Sequence, residues 1–171
     1  MIHADSASSQ IKLRPATAAD LVAVNQIIER AVCTWNLPER VKRLALPTYR
    51  YNAYDLQHLH IVIAEHSAAG VIGVAAWEAA SVRDCPRGLR GMLLHGLFVD
   101  PDQQRRGAGT LLLSAAAAAA RESGYDGLLV KAQADAEGFF RSQGLQPLAA
   151  DEASRDYPHR FWLDLAACQA A

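Results

Sequence analysis

Apolar and polar positions change period several times along the chain, and each change predicts an element. Ile11-Lys12-Leu13-Arg14 alternates and stops at Pro15, as a short strand does. Thr17-Ala18-Ala19-Asp20 then reads as a helix cap, with Asp20 placed as in a capping box. Leu21, Val24, Ile27, Ile28 and Ala31 recur at three- and four-residue spacing, predicting an amphipathic helix that ends near Trp35. Residues 38–46 and 48–56 read as two short helical pieces broken by Pro47. Strands are predicted over 61–64 and 71–77, around a turn at Ala69-Gly70, and residues 81–91 read as a loop. A further apolar run, 92–99, is closed by Asp100-Pro101-Asp102. A helix follows over 109–123, stopped by Gly124, and its alanine run 115–120 fits close packing on a sheet. Residues 127–131 predict a strand, 135–143 a helix ended by Gly144, and 161–165 a last strand.

The resulting fold class is mixed α/β: a central sheet that is antiparallel early and gains a βαβ crossover late, with helices around it. A length of 171 residues fits one domain, 1–171, with 1–10 as a loose lead-in. Apolar residues make up 51%, enough for a single core even though many are alanine. The net charge of −1 lacks the basic excess of a protein that grips nucleic acid through phosphates, so no nucleic-acid partner is expected. Weakly polar stretches reach only about half the length of a membrane span, and Met1-Ile2-His3-Ala4-Asp5 opens no secretory signal. Cys33, Cys85 and Cys168 form no C-x-x-C pair and cannot close a disulfide framework. A cytoplasmic protein with free thiols and no membrane partner follows. His58, His60 and His66 lack the spacing of a zinc site, so no metal is expected.

Residues 99–111 carry the most information: a strand end, Asp-Pro, Gln104, the basic pair Arg105-Arg106, then Gly107-Ala108-Gly109-Thr110 opening a helix. The first amides of a helix have no intrahelical acceptor, and the helix dipole adds partial positive charge there. An anion is stabilised at such an end, and glycine lets a phosphate approach the backbone. Chance alone gives ~0.7 G-x-G pairs in a chain of this glycine content, so the bare pair by itself favours a plain strand-to-helix turn. The joint context favours the anion cradle. No G-K-[ST] follows, which excludes a Walker loop, and no G-x-G-x-x-G supports a dinucleotide fingerprint.

Gln104-Arg105-Arg106-Gly107-Ala108-Gly109 resembles the pyrophosphate loop [RQ]-x-x-G-x-[GA] of the GNAT superfamily of acetyl-CoA-dependent N-acetyltransferases. Leu97-Phe98-Val99-Asp100-Pro101 looks like that family's fourth strand and the turn after it. Residues 136–145, with Phe139, Phe140 and Gly144, are similar to its A-x-x-F-Y-x-x-x-G-F helix. The resemblance implies a mixed, mostly antiparallel sheet of six to seven strands flanked by helices, with the fourth and fifth strands splayed. It implies acetyl-CoA as co-substrate and a small-molecule or peptide amine as acceptor. Leu97, Phe98 and Val99 would lie along pantetheine, with Gly96 at the bulge. Gln104, Arg105, Arg106, Gly107, Ala108, Gly109 and Thr110 would cradle the pyrophosphate. Gln133, Phe139 and Phe140 would complete the cofactor side, Gln133 standing where the family often has asparagine.

Acyl transfer to an amine needs a base, because a free lysine amine titrates near ~10.4. His95 lies two residues before Leu97 and shares its strand face, and imidazole is a side chain suited to base work. It reads as the general base or as a plain half-exposed strand histidine. The family's tyrosine, the general acid toward the departing thiolate, is Phe140 here, which has no proton to give. Tyr157, before Pro158 and His159, is either a substitute acid or an ordinary turn aromatic. Trp35, Tyr49, Tyr51 and Tyr54 read as an acceptor-side aromatic wall or as core packing. The reading is an N-acetyltransferase acting by direct attack in a ternary complex; the alternative is a non-catalytic acyl-CoA-binding sensor. Exposed sheet edges would allow a homodimer.

Overall fold

A computed structural model of the chain describes residues 10–149 and 159–166. The strands are β1 (Ile11–Pro15), β2 (His60–His66), β3 (Gly70–Ala79), β4 (Gly91–Val99), β5 (Gly127–Lys131), β6 (Gln146–Pro147) and β7 (Arg160–Asp164). The helices are α1 (Leu21–Cys33), α2 (Glu39–Tyr49), α3 (Asp55–His58), α4 (Ala108–Glu122) and α5 (Glu137–Ser142). The seven strands form one mixed, mostly antiparallel sheet in the order β1-β2-β3-β4-β5-β7-β6. β1–β2, β5–β7 and β6–β7 are antiparallel, whereas β4–β5 is parallel. Parallel neighbours need a crossover, and α4 is that crossover.

Two compact units emerge from the packing, Met1–Ala76 with Gly96–Ser114 and Trp77–His95 with Ala115–Ala171; β3, β4 and α4 each run from one into the other. In the first unit, Val24, Ile27, Ile28 and Ala31 of the predicted stripe are buried together with Val32, while Leu21 at its start is half-buried. They pack with Tyr51, Ile61, Ile63, Val74, Ala76 and Phe98, which place the core on one face of β2, β3 and β4. Asp20 closes a capping box with Thr17, and the Arg14 guanidinium grips its buried carboxylate at 2.8 and 2.9 Å. That contact holds the Asp20 carboxyl far below the usual carboxylate range. In the second unit Leu128, Leu129 and Leu145 are fully buried, and Phe140 stacks on Phe161 at 6.2 Å.

Two local expectations change. Pro47 does not break α2, which continues to Tyr49. A proline in the last turn forfeits one backbone bond, and Arg50 N–H to the Leu46 carbonyl (3.3 Å) still closes the end. The second helical piece shrinks to the single turn α3. The two-residue β6 pairs antiparallel with β7.

Candidate functional site

β4 is paired with β5 from Gly91↔Gly127 to Leu94↔Val130, and then continues to Val99. Beyond Leu94 its residues alternate. Phe98 is buried in the α1-side core, Leu97 and Val99 are half-buried, and His95 is exposed. His95 and Leu97 therefore share a face, as the spacing predicts. On the opposite face Gly96 meets Tyr51. A Cβ built on Gly96 would lie 2.4 Å from the Tyr51 hydroxyl oxygen, so only glycine admits the tyrosine at this point of the strand.

The chain leaves β4 through a pinned turn. Asp100 N–H donates to the Ile72 carbonyl (2.8 Å), and the Asp100 carboxylate accepts from Asp102 N–H (2.9 Å). Arg30 of α1 spans both acids, reaching Asp100 at 2.8 Å and Asp102 at 2.5 Å. Sequence reading missed this brace, since nothing local marks a pairing 70 residues apart. Arg30, Asp100 and Pro101 also line a cleft of about 750 Å³ in the same unit, together with Gln26, Cys33 and Thr34.

From Gln104 the loop is exposed. Arg105 takes φ 63°, the left-handed conformation, alone among the described non-glycine residues, and Gly107 follows at φ 89°. Left-handed backbone costs an L-residue about 1–2 kcal/mol, and such strain collects at functional loops. The two reversals turn the chain directly into α4, whose first rung is Leu111 N–H to the Gly107 carbonyl (3.0 Å). The amides of Ala108, Gly109 and Thr110 precede that rung. Among the described residues no protein acceptor takes them. Gln104, Arg105, Arg106, Gly107 and Thr110 are exposed, whereas Ala108 and Leu112 are buried and anchor the helix. The arrangement is a rigid base under an open, positively polarised rim, which suits an anion.

The residues predicted downstream lie in the second unit. Gln133 caps the short turn Ala134–Ala136, its carbonyl accepting from Ala136 N–H at 2.9 Å. Phe139 is half-buried and meets Phe140 edge to face at 5.2 Å. Phe140 is only 5% exposed, a core side chain. Glu137 at the start of α5 holds a short contact with His159 Nδ1, a pairing the sequence did not signal. Tyr157 lies outside the described residues. Of the aromatic wall, Trp35 and Tyr49 contact each other and Phe98, and Tyr51 is buried; Tyr54 is exposed and stacks on His58 at 3.8 Å. No cluster of three or more metal-ligating side chains occurs among the described residues, and no helix among them is long and apolar enough to cross a membrane.

The profile of the "Acetyltransferase (GNAT) domain" matches residues 57–147, more than half of the chain, and includes β4, the loop and α5. The chain belongs to the GNAT acetyltransferase family. No curated protein matches the sequence. Solved GNAT structures share the fold at low identity. One is a GNAT family acetyltransferase from Brucella melitensis in complex with acetyl-CoA, with 18% identity and TM-score 0.61 over 90% of this chain and 87% of that one. Another is the PaiA N-acetyltransferase from Thermoplasma acidophilum in complex with coenzyme A, with 12% identity and TM-score 0.69 over 90% and 98%. A third is AtaT complexed with acetyl-methionyl-tRNAfMet, with 16% identity and TM-score 0.60 over 93% and 97%. As a GNAT member, the chain is an acyltransferase. Phe140, which stands where the resembled pattern has tyrosine, is a core side chain.

Proposed function

We propose that this GNAT chain is an N-acetyltransferase that moves acetyl from acetyl-CoA to a primary amine by direct attack in a ternary complex, with residues 1–171 as one acyltransferase domain. The open amides of Ala108, Gly109 and Thr110 carry the reading. They sit at the end of β4 with Arg105 and Arg106 at the rim, where a diphosphate fits the charge and the donor geometry. Gln104 and Gly107 complete that cradle. The backbone of Leu97, Phe98 and Val99, past the last residue paired with β5, would take pantetheine as an added strand. Gln133, Phe139 and Phe140 remain cofactor-binding candidates on the family resemblance alone.

His95, exposed on β4, would accept the amine proton, directly or through water. A backbone N–H near Leu97 would hold the oxyanion. Tyr157 remains a candidate acid. A small or peptide amine suits the acceptor better than the tRNA seen with AtaT, because the chain carries a net charge of −1. A cytoplasmic location goes with this reading, and β1 and β6, which end the sheet, offer edges for a homodimer.

Calorimetry with CoA and a thiol-release assay over a panel of primary amines test the proposal. Saturable CoA binding and amine-dependent thiol release are expected, and no binding at millimolar CoA would remove the reading. His95→Gln should lower kcat by about 10²–10⁴ while CoA affinity stays near that of the parent. Phe140 favours a second reading, an acyl-CoA sensor without catalysis. Binding with no thiol release on any amine would select it.

A further inference from the structure

We infer that the outer face of α2 is a docking surface for an acidic amphipathic segment of a partner protein. The inference is independent of the acetyl-transfer reading and uses none of the residues assigned to it. Its basis is the difference between the two sides of the helix. Lys42, Leu46 and Tyr49, four and three residues apart, form the inner stripe. Lys42 is buried, and Leu46 and Tyr49 pack against the α1-side core. Arg40, Leu44 and Pro47 run down the opposite side, with Arg43 on one flank and Val41 on the other, and all five are exposed. Val41 and Leu44, one turn apart, are 44% and 69% exposed. Apolar side chains at such spacing, left in water by the fold, are the anchors that helix-in-groove recognition uses.

The charges around these anchors select the occupant. In the first unit Arg14, Arg30, Lys42 and Arg50 each hold a carboxylate. Glu39, the one acid of α2, is matched by Lys42 at 2.5 Å. Arg40 and Arg43 hold no carboxylate among the described residues. The outer face therefore presents two unmatched guanidinium groups beside two exposed aliphatic side chains. Its complement is an apolar ridge bordered by carboxylates: opposite charge steers the encounter and fixes the register, while apolar contact supplies the affinity. A second copy does not meet that need. Two-fold pairing would set the patch against itself and bring the guanidinium groups of both copies together. A lipid surface asks for a broader apolar face with aromatic side chains, and this one has neither. The patch is small, so the contact is a weak and transient one.

The probe is a fluorescent helix-forming peptide of ~15 residues, with leucine at every third and fourth position and glutamate elsewhere. A control peptide carries lysine in place of glutamate. Fluorescence polarisation with the full chain should show saturable binding of the glutamate peptide, at least about tenfold tighter than the lysine peptide at low salt. That preference should narrow as salt rises. Arg40→Glu combined with Arg43→Glu should reverse it, so that the lysine peptide binds the better. Leu44→Ser should weaken the glutamate peptide about threefold or more and leave the charge preference in place. The three substituted positions are exposed, and an unfolding midpoint near that of the parent checks that each variant is folded.

No saturable binding of the glutamate peptide, equal binding of the two peptides, or an unreversed preference in the double variant would each overturn the inference. Sedimentation that shows a parent dimer dissolved by Leu44→Ser would overturn it too, by making a second copy the occupant. Tighter binding to vesicles of phosphatidylcholine and phosphatidylserine than to the glutamate peptide would do the same in favour of a lipid surface.

Discussion

The loop 100–107 and helix α5 are the two stretches that most resemble the GNAT pattern, and they have kept different parts of it. The loop keeps its shape and its accessibility: Arg105 at φ 63°, Gly107 at φ 89°, an exposed rim and three leading amides of α4 without an acceptor among the described residues. α5 keeps its aromatic pair but not the hydroxyl, and Phe140 now stacks against Phe161 inside the second unit. A backbone anion site tolerates wide variation in side chains, because amides and glycines carry it. A proton donor is a single atom, so one substitution moves the residue from chemistry to packing. The two stretches therefore differ in what a single substitution can remove.

Cutting the packing side should give the larger effect. Phe140→Ala removes a ring that is 5% exposed, and large-to-small changes of this kind cost about 3–5 kcal/mol. Denaturant unfolding should show a lower midpoint at unchanged slope. Phe140→Tyr asks the converse question. Its added hydroxyl enters an apolar surround and should cost about 1–3 kcal/mol, with no gain in turnover. A Phe140→Tyr protein as stable as the parent and faster would show that α5 still holds a place for the acid.

The loop side is broken by Gly107→Val. A β-branched residue at φ 89° is strained by about 1–2 kcal/mol, or else the loop turns its amides away. CoA affinity should drop by about tenfold or more, since 1.4 kcal/mol is a factor of ten. Gly138→Ala in α5 is the matched control: a Cβ there meets nothing within 4 Å. CoA binding should be unchanged in it. Equal loss of affinity in both variants would mean that the contrast between the two regions is not real.

How much of this was legible beforehand follows from what each feature depends on. β4, the loop and α4 are written in consecutive residues, so period and glycine spacing found them. The Thr17–Asp20 cap is equally local, and it formed as read. Pro47 misled because a proline breaks a helix interior but is tolerated in the last turn, and the sequence does not say which turn it is in. β6 has two residues, too few to show any period. The Arg30 brace, the bonds of the Asn25 side chain to the Tyr51 carbonyl and N–H (2.8 and 2.9 Å), and the Tyr51–Gly96 contact join residues tens of positions apart, and no pattern along the chain encodes them. Arg105 is a different case: the left-handed turn falls on the arginine rather than on glycine, which propensity alone argues against.

Arg30 gives the smallest effect and the finest test of the comparison, because it acts on the loop without belonging to it. Its guanidinium is 48% exposed, and its two acids are 13% and 77% exposed. Exposed ion pairs are worth about 0–1 kcal/mol after screening, and only the Asp100 contact is sheltered enough to approach the upper end. Arg30→Met keeps the stem and removes the charge. Stability should fall by less than about 1 kcal/mol, and CoA affinity by about twofold to threefold. The affinity loss should shrink as salt rises, since salt already weakens the brace in the parent. A salt-independent loss would place the effect in the packing of the α1 stem along the cleft, and the loop would then owe its shape to Arg105 and Gly107 alone.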